Sequence, residues 1–328
     1  MIRKVLPFLA LSIGVGFTVW LVAAASLTSI LSSFAQIRWG ILAIVAVRAA
    51  MITTNAVAWQ QLLARWIKVP FPIFALLRWI REAIDGLLPV ASIGGSLISA
   101  RLLTFWRVSG TMALAGVFAD VFLQTAAQVI FALVGALLLA RIVGFDTVPP
   151  ELLLGLAAIV IVLGGFYFVQ RYGAARLLDR AFQVFSGREK FPVRGGEVHL
   201  QSAIDRIWRG RRRVAAALLT HTFAWALGTL EVWLTLHFMD WPVSLAQAIV
   251  LESLGSTIST AAFFVPGSWG VQEGGYILIG ELLGVPAHLS LSLSLVKRIP
   301  DLTLGAPGLL AWRLVEARHL FGRGLQTG

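Results

Sequence analysis

A short interrupted segment in an apolar chain most strongly constrains how this protein can fold. Residues 264–276 read FVPGSWGVQEGGY, with four glycines, a proline and a glutamate inside a long apolar region. Pro266 lacks a backbone donor and disrupts a helix, while the glycines permit conformations that a helix does not use. Within a membrane, irregular backbone is tolerated only where protein buries it or where it lines a watery cavity. The segment therefore predicts the tip of a re-entrant hairpin at a functional site.

The surrounding sequence is typical of an all-α polytopic membrane protein. Of its 328 residues, 58% are hydrophobic and 13% are charged, and the mean hydropathy is +0.84. These values exclude a soluble domain, and the apolar runs are too long and continuous for membrane β-strands. The chain contains no cysteine, which excludes disulfides and thiolate metal sites.

Hydropathy predicts about six spanning helices and two re-entrant broken hairpins in a single membrane domain of 328 residues. The predicted spans are residues 5–37, 39–64, 108–140, 152–169, 214–238 and 286–312, and the hairpins cover about 82–107 and 243–284. Each hairpin begins at a glutamate and later breaks at a proline followed by glycines. The two halves, about 1–145 and 146–328, therefore predict an inverted repeat of the kind found in secondary transporters.

The positive charge of the chain predicts its orientation. The net charge is +11, and residues 171–213 hold eleven Lys or Arg against four acidic residues. Because Lys and Arg collect in cytoplasmic loops, this loop and both termini are expected in the cytoplasm. Its apolar faces within 174–185 and 200–208 predict two interfacial helices on anionic lipid headgroups. Nucleic acid is not an expected partner, because the basic run 209–213 directly precedes a span.

Ionisable residues within apolar segments are the candidate binding residues, because each costs roughly 2.5–3.5 kcal/mol to insert without a partner or a cavity. Arg101, Lys297 and Arg298 could line a site for a lipid phosphate, with backbone donors at half-helix N-termini. A set of purely structural ion pairs is an equal alternative. The candidate set is Glu82, Pro89, Gly94, Gly95, Arg101, Glu252, Pro266, Gly267, Trp269, Gly270, Gln272, Glu273, Lys297 and Arg298.

Other polar residues in the spans are weaker candidates. Arg48, Asp120 and Glu231 are single ionisable groups that could equally satisfy a neighbouring backbone break. The histidines share no ligand spacing, so we expect neither a metal site nor a cofactor. Arg78 and Arg81 are expected in a basic cytoplasmic segment after the second span.

The run Pro266-Gly-Ser-Trp-Gly-Val-Gln-Glu273, with the earlier Pro89, Gly94-Gly95 and Arg101, resembles a flippase-like transmembrane family. That family includes the membrane half of lysylphosphatidylglycerol synthases, and the resemblance covers nearly the whole chain. The run from Leu282 to Trp312 is similar to the branch associated with hopanoid biosynthesis. The resemblance implies movement of lipid between the leaflets of the bacterial inner membrane.

Two departures from the family accompany this resemblance. The family often has Gly where Ser268 stands and Arg where Gln272 stands, which puts the family's mode of binding an anionic headgroup in doubt here. No aminoacyl-transfer domain follows the last predicted span, so we expect no lipid aminoacylation by this polypeptide.

Three classes of function are compatible with these features. Broken hairpins with charges at membrane depth are typical of a lipid transporter. The alternatives are an intramembrane enzyme that modifies lipids and an accessory membrane protein of hopanoid biosynthesis. No nucleophile and base share a motif, which counts against the enzyme. Phospholipid, polyprenyl phosphate and hopanoid all stay open as the lipid, and the oligomeric state is unknown.

Overall fold

A computed structural model describes residues 15–23, 27–88, 94–144, 196–262 and 265–324, together with positions 12, 154, 157 and 161. The regular structure in these ranges is entirely helical, as predicted. The helices are α1 (Val15–Ala23), α2 (Leu27–Ile37), α3 (Gly40–Leu63), α4 (Phe71–Leu87), α5 (Gly94–Leu103), α6 (Gly110–Val143), α7 (Gly196–Arg209), α8 (Arg211–Phe238), α9 (Leu245–Ala261), α10 (Val271–Leu282) and α11 (Ala287–Gly324). Short 3-10 turns cover Thr104–Trp106 and Pro266–Ser268.

Within the described part of the chain, two helices, α3 and α6, are long enough and apolar enough to cross a membrane. Helices α1 and α2 are bent by 96° relative to each other and count as a third span if the pair is taken as one. Helices α8 and α11 contain 28 and 38 residues, but polar and ionisable side chains interrupt their apolar stretches. Six spans therefore stay a prediction, and most of the predicted span at 152–169 lies outside the described residues.

The first broken hairpin consists of α4 and α5, which pack against each other. Gly95 permits this close approach, because an added Cβ would lie 2.8 Å from the carboxylate of Asp85 and would also overlap the backbone oxygen of Arg81. The backbone N–H of Gly95 donates to Asp85 Oδ1 at 2.9 Å. The carboxylate thus satisfies one of the free donors at the start of α5. Pro89 lies outside the described residues.

The second broken hairpin consists of α9 and α10, which also pack together. Between them, Gly267, Ser268 and Gly270 have φ values of 64°, 51° and 80°. Such values suit glycine and are uncommon for serine. The hydroxyl of Ser268 donates to the backbone oxygen of Ser259 at 2.7 Å, which holds the turn against the end of α9. The broken tip predicted from the glycines and Pro266 is therefore present.

Helix packing follows a reciprocal pattern across the two hairpins. The first helix of each hairpin packs on the long helix that follows the other hairpin, so α4 contacts α11 and α9 contacts α6. In the same way α3 contacts α4 and α8 contacts α9, while α5 contacts α6 and α10 contacts α11. Helices α3 and α8 pack against each other over their length, from Gly40 beside Phe238 to Gln61 beside Thr220.

Helix α7 packs on the protein through its apolar face. Helix α7 contacts α6, and Trp208 lies edge-on to Phe122 of α6. The buried residues of this face are Leu200, Ala203, Ile204 and Ile207. The predicted apolar face of α7 is thus correct, but it packs against other helices of the protein. A position on lipid headgroups stays a prediction, and the other helix predicted in this loop, at 174–185, lies outside the described residues.

Candidate functional site

A polar cavity of about 360 Å³ lies between the two hairpins, lined by residues of α3, α4, α6, α8, α9, α11 and the tip at 267–268. The hairpins approach closely at this point. A Cβ added to Gly267 would lie 3.8 Å from the backbone oxygen of Gly86, near the end of α4. The cavity therefore sits where both broken helices end, as the sequence predicts for a functional site.

The proline-containing part of α11 lines this cavity. Pro300 and Pro307 lie inside the helix, and each removes a backbone donor and favours a bend. Gly305 allows α4 to approach, because an added Cβ would lie 2.7 Å from a methyl group of Leu87. The indole N–H of Trp79 donates to the backbone oxygen of Leu304 at 2.8 Å, which ties α4 to α11 at the cavity wall.

Arginines of α4 and a carboxylate of α6 form the first charge cluster. Arg78 donates to Asp120 Oδ2 at 3.1 Å and to Glu82 Oε1 at 2.6 Å. Arg81 donates to the same oxygen of Asp120 at 2.7 Å. Arg78 also donates to the side-chain oxygen of Gln124 at 3.0 Å. Because Arg78 and Asp120 are fully buried, this pairing offsets the cost of removing both charges from water.

Asp120 also contacts α8 through its other oxygen. His221 Nε2 lies 3.1 Å from Asp120 Oδ1, and His221 Nδ1 lies 2.8 Å from Asn55 Oδ1 of α3. The histidine is fully buried. The cluster thus connects α3, α4, α6 and α8 through one carboxylate.

A second charge cluster lies between α3, α8, α9, α10 and α11. Lys297 Nζ donates to Glu252 Oε2 at 2.7 Å and lies 3.7 Å from Glu231 Oε1. Arg48 donates to Glu231 Oε1 at 2.9 Å. The hydroxyl of Tyr276 donates to Glu252 Oε2 at 3.1 Å. Lys297, Glu231 and Glu252 are buried, so their mutual pairing supplies the partners that such charges need within a helix bundle.

Arg298 fixes the broken tip of the second hairpin. Its Nε donates to Glu273 Oε1 at 2.8 Å, and one terminal nitrogen donates to the backbone oxygen of Gly267 at 2.9 Å. The guanidinium carbon lies 3.9 Å from the ring centroid of Trp269, a favourable cation–π distance. The second carboxylate oxygen of Glu273 accepts the backbone N–H of Gly270 at 2.7 Å. The residues with unusual backbone are thus held by charged side chains.

The carboxylates of the cavity are more accessible than most of its arginines. The side chains of Glu82 and Asp301 are 39% and 40% exposed, whereas those of Arg78 and Arg298 are 0% and 10% exposed. This arrangement corrects the expected cationic lining. Each arginine that lines the cavity pairs with at least one carboxylate, because an unpaired cation in the bundle would be costly.

Arg101, expected at the site, lies outside the cavity. Its side chain is 44% exposed and donates to Glu316 Oε1 at 2.9 Å, joining α5 to the far part of α11. Its position on the last turn of α5 places it at the base of the hairpin, away from the tip.

The other predicted site residues divide between the cavity and its supports. Glu82, Gly267 and Arg298 line the cavity. Gln272 donates to Ser294 and accepts from Ser259, so it links the second hairpin to α11. The residues that lie behind the cavity wall or start a helix or turn are Gly94, Gly95, Glu252, Pro266, Trp269, Gly270, Glu273 and Lys297.

Several cavity residues were missed or weighted weakly by sequence reasoning. The sequence predicts a basic cytoplasmic segment that includes Arg78 and Arg81, yet both are buried and paired with Asp120. Arg48 also lines the cavity. One signal was available, since residues 78, 81, 82 and 85 are three or four positions apart and lie on one helical face. Two cations and two carboxylates on one face of an apolar helix indicate an interior network.

Corresponding positions of the two halves carry ion pairs of opposite polarity. Arg78 follows the first residue of α4 by seven positions, and Glu252 follows that of α9 by seven. Asp120 and Lys297 each follow the first residue of α6 and α11 by ten. In the first half the hairpin supplies the cation and the long helix the anion, whereas in the second half the charges are exchanged.

Comparison with known proteins identifies one family. The family model described as the lysylphosphatidylglycerol synthase TM region matches residues 8–308. No individual curated protein gives a significant match. Within the described residues, no group of three or more His, Asp or Glu side chains is arranged to hold a metal ion.

Proposed function

Since the chain belongs to the family of the lysylphosphatidylglycerol synthase transmembrane region, we propose that it is a lipid transporter that moves a lipid headgroup across the bilayer. The observation that carries this proposal is the polar cavity between the tips of two broken hairpins. The free-energy barrier for moving a polar lipid headgroup through hydrocarbon is high, and a polar cavity at membrane depth lowers that barrier.

The chemistry of the cavity fits a charged or zwitterionic headgroup. Arg48 and Arg298 line the cavity together with the carboxylates Glu82, Asp85 and Asp301. A ligand that carries both signs of charge can exchange its contacts with these groups one at a time. Weak, multiple contacts of this kind favour passage over retention, as in other conducting pathways.

We further propose that the two halves form an inverted repeat with six spans in the bacterial inner membrane. The reciprocal packing of α4 on α11 and of α9 on α6 supports this arrangement. In this topology the first hairpin opens from the cytoplasm and the second from outside, and both termini are cytoplasmic. Arg65, Lys68 and Arg211 then lie on the cytoplasmic side, in agreement with the distribution of positive charge.

The proposal is tested by lipid movement in vesicles that contain the purified protein. Fluorescent phosphatidylglycerol, polyprenyl phosphate and hopanoid analogues serve as three separate probes, and an impermeant quencher reports the outer leaflet. Gly86→Leu is the decisive variant, because Gly86 lines the cavity and no heavy atom lies within 4 Å of an added Cβ. The helix thus tolerates leucine, while the cavity is partly filled.

We expect Gly86→Leu to slow movement of the accepted lipid about tenfold or more, equal to roughly 1.4 kcal/mol of added barrier. Gly16→Leu is the matched control, since Gly16 is exposed, lies on α1 and also has open space around an added Cβ. An unchanged rate in a well-folded Gly86→Leu protein contradicts a route through the cavity. Failure of the wild type to move all three probes contradicts lipid transport.

A further inference from the structure

A buried histidine stands behind the arginines of the cavity. His221 is fully buried on α8, and both of its ring nitrogens face oxygen atoms. Nε2 faces Asp120 and Nδ1 faces the side-chain oxygen of Asn55. A neutral imidazole has one donor and one acceptor nitrogen, so it cannot donate to both oxygens.

Two states satisfy this geometry, and they differ by one proton. Asp120 is ionised because it accepts from Arg78 and Arg81, so His221 Nε2 donates to it in both states. In the imidazolium state Nδ1–H donates to Asn55 Oδ1. In the neutral state the amide of Asn55 turns over and its NH₂ group donates to Nδ1. A rotation of one side-chain amide therefore accommodates gain or loss of the proton.

The charged groups around Asp120 form one local cluster. It contains two arginines, Arg78 and Arg81, and three carboxylates, Glu82, Asp85 and Asp120. An imidazolium at His221 brings this cluster to three cations and three carboxylates. Arg48 lines the same cavity and pairs outside the cluster, with Glu231 and Asp301.

The helices packed against α8 present few other charged groups to this histidine. Helix α3 presents the neutral Asn55 to the ring, and its one cation, Arg48, pairs with Glu231 further along α8. Helix α2 contains no charged residue. Glu252 of α9 and Lys297 of α11 lie further along α8, where Glu252 contacts Gly228 and Lys297 approaches Glu231. Glu231 follows His221 by ten residues, about 15 Å along the helix. The charged groups of α7, such as Arg206 and Arg209, lie at the exposed end of the bundle.

We propose that His221, with Asp120 and Asn55, is a proton-binding site that regulates the cavity of the proposed lipid transporter. Protonation adds one positive charge beside Asp120, which is then shared among three cations. Asp120 then binds Arg78 and Arg81 less tightly. Both arginines become available to an anionic group of a lipid headgroup, such as phosphate. Because linkage is reciprocal, an anion in the cavity promotes proton uptake by the same free energy.

The proton site is tested directly by nitrogen NMR of the full chain in lipid vesicles, with ¹⁵N-labelled histidine. The chain has five histidines, and the signals absent in His221→Gln belong to His221. We expect these signals to change from the neutral to the imidazolium form as the pH is lowered. Soluble glycerol phosphate should move the midpoint to higher pH, because it binds better to the protonated form. The proposal is overturned if His221 keeps the same protonation state at every pH. It is also overturned if glycerol phosphate does not move the midpoint of the change.

Coupling to transport is tested with fluorescent phosphatidylglycerol in the same vesicles. We expect the wild type to move this lipid several-fold faster at low pH and His221→Gln to lose that ratio. The control His237→Gln changes an exposed histidine of the same helix that stacks on Trp233. A His221→Gln protein with the wild-type pH ratio overturns the regulatory role. If the wild type moves none of the probes, the transport proposal fails, and the NMR titration alone decides the proton site.

Discussion

Replacing Glu273 by glutamine tests whether the tip of the second hairpin depends on one carboxylate. Glu273 is fully buried, and its two oxygens serve different partners. One accepts from Arg298 at 2.8 Å, and the other accepts the N–H of Gly270 at 2.7 Å. Glutamine has a single oxygen, and its NH₂ group would face a donor. Either the arginine or the helix N-terminus therefore loses its partner.

The expected cost follows from what Arg298 retains. Breaking a buried ion pair costs roughly 3–5 kcal/mol. Arg298 keeps its bond to the backbone oxygen of Gly267 and its contact with Trp269, and it borders the cavity. Water can replace part of the lost pairing, so we expect the lower end, about 3 kcal/mol. At roughly 2 °C per kcal/mol for a large chain, the melting temperature should fall by about 6 °C.

The assay measures melting and lipid movement on the same detergent-purified sample. Glu281→Gln is the control, because Glu281 lies on the same helix and is exposed. A melting temperature within about 2 °C of the wild type, or about 1 kcal/mol, would refute the role of Glu273 as a buried brace. If transport is lost in that stable protein, Glu273 acts on the lipid instead.

Two further predictions concern the first hairpin and the topology. Gly95→Ala should lower stability by about 1–3 kcal/mol in a melting experiment, because its Cβ would crowd the carboxylate of Asp85. Gly86→Ala is the control and should melt as the wild type does, because its Cβ meets open space. Equal melting temperatures of the two variants would contradict this packing. Because the chain has no cysteine, a single introduced cysteine can be labelled specifically. Lys68→Cys should react with an impermeant thiol reagent only from the cytoplasmic side, and Asp240→Cys only from outside. Reaction of both from one side would contradict the topology.

The backbone of the site was more predictable than its side-chain partners. Pro266 and the glycines around it predict a broken tip because their effect on the backbone is local. The pairing of Arg78 with Asp120 joins residues 42 positions apart. No local pattern specifies which long helix faces the arginine. For the same reason the sequence wrongly predicts Arg101 at the cavity, although it lies near the C-terminal end of α5 and pairs with Glu316.

Burial divides the charged residues into accessible and enclosed groups, and composition does not predict this division. Sequence alone indicates that charges in apolar segments need partners, but it does not tell which charge faces the cavity. Glu82 and Asp301 are the accessible members, whereas Lys297 and Glu252 are enclosed by α8, α9 and α11. The difference follows position along α11, since Pro300, Asp301 and Leu304 line the cavity, whereas Lys297 faces Glu231 and Glu252.

If the two halves form the inverted repeat proposed above, the opposite polarity of the two corresponding ion pairs has a consequence for the response to membrane voltage. In an inverted repeat with equal charges, rotation about an axis in the membrane plane would reverse the electric dipole along the bilayer normal, and the two halves would cancel. Exchange of the charges reverses the dipole again, so the contributions of Arg78–Asp120 and Glu252–Lys297 add. For a separation near 2.7 Å in a core about 30 Å thick, each pair contributes at most on the order of 0.2 kcal/mol per 100 mV. In that topology, the voltage dependence of any movement of these pairs along the bilayer normal is limited to this amount.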